Sequence, residues 1–169
     1  MTELLLLRLV HILSGTFWLG AAVVNAFFLM PAAMSIGPAG GALMLALRDR
    51  GMMHWLLGSS VLTLLSGIRL FWIIAGGDPG AFMASPMGQA FGLGGVAAIL
   101  AFVLAMAVSR PAAVKIATLS NAMGSASEAE RTVLQQEIAR CKKRSSVGST
   151  LNIVLLVGSA MGMAVARYL

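Results

Sequence analysis

The chain has 169 residues, of which 59% are apolar and 11% charged, and its mean hydropathy is +0.90. That composition excludes a soluble globular domain, and the length leaves room for a single membrane domain. The formal charge of +6 does not call for nucleic acid as a partner, because the basic residues flank apolar runs, where anionic lipid headgroups account for them.

The first apolar run, about 4–30, reads LLLLRLVHILSGTFWLGAAVVNAFFLM and is expected to stop at Pro31, which lacks the N–H needed to continue a helix. It is twice the length of a signal-peptide core and has Glu3 before its first basic residue, so an uncleaved spanning helix is expected. The segment SIGPAGGALMLALRDRG follows, a Gly/Pro turn and a short amphipathic piece. The second and third runs, about 54–75 and 89–109, each have close to the ~20 residues that a bilayer core requires, with the loop GGDPGAFMASPMG between them. Beyond Pro111 the chain turns polar. From about 125 to 144 it reads as an amphipathic helix with acids early and bases late, as the helix dipole favours. The last run, about 150–169, ends in ARYL, with Arg167 and Tyr168 as interface anchors. The expected fold is therefore all-α, an integral membrane four-helix bundle with a cytoplasmic amphipathic helix between helices three and four. Cys141 is the single cysteine, so no intrachain disulfide can form.

Lys and Arg resist translocation, and they cluster in 31–53 and 110–148 while the other side holds only Arg8 and Arg167. The expected topology is multi-pass in a bacterial-type inner membrane, with both termini outside. With a rise of 1.5 Å per residue, this topology puts His11 and Arg69 at one level, each about 10 Å inside the outer boundary. Gln89, Met161 and Met163 approach that level, whereas Asn25, His54 and Asn152 form an inner layer. The two histidines thus fall in opposite halves and are not expected to share a metal or an iron.

An ionisable group inside a span needs a partner or a purpose. Arg69 can snorkel to the headgroups, and His11 can be a neutral ring bonded to a carbonyl or to Ser14. His11, Gly15, Trp18, Ala22 and Asn25 also recur on one helix face. A glycine notch beside an imidazole suits a flat macrocycle, with His11 as axial ligand, Trp18 against the ring, and Arg69 near a propionate.

RLVHILSGTFWLGAAVVNAFFLMP resembles the opening helix of the copper-resistance protein D family and of the HemJ-type protoporphyrinogen oxidases, and MHWLLGSSVLTLLSGIRL resembles their second helix. The basic helix before a final span ending ARYL extends the likeness over most of the chain. The resemblance implies heme b on His11, whereas the lysine near the start of the HemJ-type third helix is here replaced by Gln89, so oxidase activity is not implied. It also implies Cu(I) handling as an alternative, with Met52, Met53 and His54 on the inner side and Met83 and Met87 in the outer loop. The leading expectation is a heme b electron-transfer protein or a subunit of a membrane redox complex, with Met161 or Met163 as second axial ligand. The remaining alternative is a cofactor-free structural subunit. A Gly-rich bundle of this size is expected to self-associate or dock on a partner. No catalytic carboxylate pair, nucleophile elbow, phosphate loop or zinc spacing marks an enzyme.

Overall fold

Long apolar runs satisfy their backbone polar groups by closing helices. The computed structural model describes residues 2–124 and 126–169, without the side chain of Pro38, and among them every regular element is helical. These elements are α1 (Thr2–Val24), α2 (Met30–Ser35), α3 (Pro38–Asp49), α4 (Met52–Ile74), α5 (Pro79–Met83), α6 (Pro86–Leu104), α7 (Arg110–Ala122) and α8 (Glu128–Val165). Among the described residues four continuous helices are long and apolar enough to cross a membrane: Thr2–Ser35, Met52–Ile74, Pro86–Ala122 and Glu128–Tyr168.

Three helices run past the limits expected from the sequence, for two physical reasons. Pro31 does not end the first helix. A π turn over Asn25–Leu29 carries α1 into α2, with the Met30 N–H donating to the Asn25 carbonyl five residues back. Widening the helix there accommodates a ring that would strike the carbonyl of an ordinary turn. The same device recurs in the third helix: a π turn over Ala105–Ser109, the Arg110 N–H on the Ala105 carbonyl, and Pro111 next along. The amphipathic segment expected at 125–144 is not a separate element, since α8 runs unbroken from Glu128 through the last apolar run; position 125 itself lies outside the described residues. Its good helix formers and late basic residues give the chain no reason to break before Thr150.

The start of α8 is fixed by a capping arrangement. The Ser127 N–H donates to Glu130 Oε2 at 2.8 Å and its hydroxyl to the same oxygen at 2.6 Å. These bonds, the hydroxyl first, hold the Glu130 carboxyl below the usual glutamate range. A depressed folded value stabilises the cap above the unfolded value, and that contribution disappears as pH falls through the folded one. Amide protection in the first turn of α8, corrected for intrinsic exchange, is expected to hold at neutral pH and to fall below the ordinary glutamate range. Ser127→Ala is expected to flatten that dependence.

The helices pack as two antiparallel hairpins, α1 against α4 and α6 against α8, with fewer contacts between the hairpins. Beyond the apolar lengths, α7 continues along α8, where Lys115 Nζ lies 3.8 Å from Glu137 Oε2. Inside the bundle are small and hydroxyl residues: Ser59, Ser60, Thr63 and Ser66 of α4, Gly94, Ala98 and Ala101 of α6, and Gly148, Asn152 and Ser159 of α8. Large apolar side chains point out, with Leu13 69%, Phe28 67% and Leu93 71% exposed. Such an arrangement would aggregate in water, whereas small residues at helix contacts and large ones outward are what lipid favours. The hairpins meet at Trp18, which is buried with Ala98, Ala101 and Leu156.

Candidate functional site

His11 lies on the face of α1 that meets α4, one to two turns from Ser14 and Trp18. Its Nδ1 is 2.9 Å from the Thr63 carbonyl and 3.3 Å from Ser66 Oγ. Because a carbonyl only accepts, the shorter contact makes Nδ1 the donor. The Ser66 hydroxyl is itself committed to α4, donating to the Leu62 carbonyl at 2.5 Å. A second link lies one turn along, where Thr63 Oγ1 is 2.9 Å from Ser14 Oγ and Ser14 donates to the Val10 carbonyl at 2.6 Å. His11, Ser14, Thr63 and Ser66 therefore form one polar seam between two apolar helices.

Two glycines explain how close the helices come at this seam. A Cβ on Gly67 would lie 2.8 Å from His11 Cε1, so the imidazole rests directly on the bare backbone of α4. A Cβ on Gly15 would meet Thr63 Cγ2 at 3.4 Å, so the expected notch beside His11 is filled by the threonine of the neighbouring helix.

The other expected site residues disperse. Trp18 is 6% exposed and packs on α6 and α8. Arg69 does not share a contact with His11: its Nη2 lies 2.7 Å and its Nε 2.9 Å from Glu3 Oε1, both side chains being exposed. Glu3 lies at the start of α1, eight residues before His11, and the long arginine stem reaches outward to it. Met163 lies against Gly94, where a Cβ would come within 3.2 Å of its Cγ, and Met161 is 64% exposed. Gln89 is exposed.

At the other end of α4, Met52, Met53 and His54 are successive residues of the first turn and fan around it at about 100° each, so they do not converge on one ion. His54 and Trp55 edge a lateral groove of about 590 Å³ between α1 and α4, which Leu13, Ser14 and Ser59 also line. Some 12 residues of helix, about 18 Å, separate His54 from Ser66. Met83 lies at Gly92, where a Cβ would come 2.6 Å from its Sδ, and Met87 is in the first turn of α6. Among the described residues no three His, Cys, Asp or Glu side chains converge.

For heme, the fit divides. The His11 ring fits as a ligand, since ligating histidines usually donate the other nitrogen to a carbonyl, as Nδ1 does here. At the other two positions nominated for the cradle, Thr63 lies against Gly15 and the exposed Arg69 is paired with Glu3. Sequence reasoning missed the hydroxyls of α4, although Ser59, Ser60, Thr63, Ser66 and Gly67 recur every three to four residues, the spacing of one helix face. It also missed the buried bond from Asn152 Nδ2 to the Ala101 carbonyl at 2.6 Å, which ties α8 to α6. Comparison with protein-family models, curated proteins and solved structures finds no match.

Proposed function

We propose that this chain is an integral membrane protein crossing the bilayer four times, with both termini outside, and that it holds heme b through Nε2 of His11 as part of a membrane redox system. The four span-length helices and the confinement of most Lys and Arg to the 31–53 and 110–148 stretches support the first half of this reading. The second half is supported by one observation, the 2.9 Å contact between His11 Nδ1 and the Thr63 carbonyl, which occupies Nδ1 and leaves Nε2 as the nitrogen for a ligand. The likeness of the first helix to the copper-resistance protein D and HemJ-type proteins points the same way. Bound heme supplies one-electron transfer. The chain's part is to orient the imidazole.

The second reading is a cofactor-free subunit in which the seam only fixes helix register. The chain of bonds from His11 through Thr63 to Ser14 favours it, since each such bond contributes about 0.6 kcal/mol in lipid. An absorption spectrum of the purified protein separates the two. The heme reading expects a Soret band that His11→Ala abolishes. A colourless wild type, or a band indifferent to that substitution, leaves the seam as a packing element.

A further inference from the structure

A second cavity, of about 170 Å³, opens where α7 and α8 leave the apolar part of the bundle. One wall is Val108, Pro111, Ala112 and Lys115, and the other is Cys141 and Arg144. Just above it the helices are in close contact, since a Cβ on Gly148 would come within 3.1 Å of Val108 Cγ1. The volume is that of about five to six waters, room for one phosphate group with part of its hydration.

The charges around this cavity are one-sided. The two charged residues that line it, Lys115 and Arg144, are both cationic; Arg144 makes no ion pair among the described residues, and Lys115 has the exposed Glu137 at 3.8 Å. A contact that long between exposed groups is weak and yields readily to a stronger anion. Arg144 brings a planar fork of donors and Lys115 a mobile ammonium, the pair of chemistries that suits a phosphate oxygen cluster. Arg144 stands one turn past Gly148, about 6 Å along the helix, which in the four-span reading is headgroup depth.

We propose that this pocket binds a phosphate group, with Arg144 and Lys115 as its cationic ligands, presented by an anionic lipid headgroup or by free phosphate. The lipid source rests on the membrane reading above, whereas the pocket chemistry does not.

Cys141 is the only cysteine of the chain and lines the pocket, so its reaction with N-ethylmaleimide reports occupancy. The purified full chain is held in dodecyl maltoside micelles, which contain no phosphate. Added phosphatidylglycerol is expected to slow labelling about five- to tenfold, and diacylglycerol of the same chains to leave it unchanged. Sodium phosphate against sodium chloride of equal ionic strength forms the second arm: slowing by the lipid alone assigns the lipid source, and slowing by both assigns phosphate in general. Lys115→Gln with Arg144→Gln, both on exposed side chains, is expected to remove the protection, and Lys142→Gln with Lys143→Gln to preserve it. A reporter outside the pocket, Ala139→Cys in a Cys141→Ser background, controls for surface potential. The proposal is overturned by equal labelling in all additives, by protection that survives the double substitution, or by equal slowing at position 139. Retention of the protein in carbonate-washed membranes is measured separately, so that failure of the pocket is distinguished from failure of the membrane reading.

Discussion

Trp18→Ala is expected to loosen the joint between the two hairpins more than any other single truncation in the bundle. Trp18 is the one large aromatic in the buried cluster, and its neighbours Ala98, Ala101 and Leu156 come from α6 and α8, not from its own hairpin partner. Among the described residues few other contacts join α1 to the second hairpin. In water, a buried Trp→Ala change costs about 3–5 kcal/mol, part of it from transferring apolar surface and part from the cavity left behind. In lipid the transfer part largely vanishes, because a displaced indole finds hydrocarbon outside the bundle as well. The cavity and lost dispersion contacts remain, so about 2–3 kcal/mol is expected. Thermal unfolding in detergent should show the loss, and limited proteolysis between the hairpins, at the 76–85 connection, should accelerate. Trp72→Ala, on a side chain 52% exposed, is the comparison and should change little. Equal effects from the two would mean that Trp18 does not join the hairpins.

The four span-length helices were legible because apolar length alone sets them. Where the helices end was less legible. Pro31 reads as a stop, since a proline removes a donor and crowds the preceding turn, yet a π turn five residues long relieves both problems there, as another does before Pro111, without ending the helix. Depth counted at 1.5 Å per residue treats a side chain as a point on the axis. For Arg69 it left open whether the guanidinium faces the site or snorkels outward, and the guanidinium lies at Glu3, near the start of α1. The expected contact of the ring with a carbonyl is present, while the partner, Thr63, lay 52 residues away and carried no local signal pointing to His11. The glycine that matters was also displaced: Gly15 is nearest His11 in sequence, and Gly67 is the one its ring touches. Sequence neighbours mark what a helix face offers, and only the partner helix decides which part is used.

Gly67→Ala is the sharpest test of that contact. The added methyl would sit 2.8 Å from His11 Cε1, nearer than carbon atoms approach, and the ring cannot simply swing aside without giving up the Thr63 carbonyl. Overpacking of this kind costs about 1–3 kcal/mol, and leaving the His11 Nδ1–H without the Thr63 carbonyl adds to it. Gly58→Ala is the control, since nothing lies within 4 Å of a Cβ there and alanine is the better helix former. Thermal unfolding is expected to show a marked loss for the first substitution and none for the second. In a His11→Ala background the collision disappears, so Gly67→Ala should there be nearly silent, a coupling of about 1 kcal/mol or more in the double-mutant cycle. Additive effects would mean that ring and glycine are not in contact. The same substitution also bears on function, because a ring pushed off α4 no longer aims Nε2 in one direction. If heme is carried on His11, Gly67→Ala weakens or shifts the Soret band while Gly58→Ala leaves it in place.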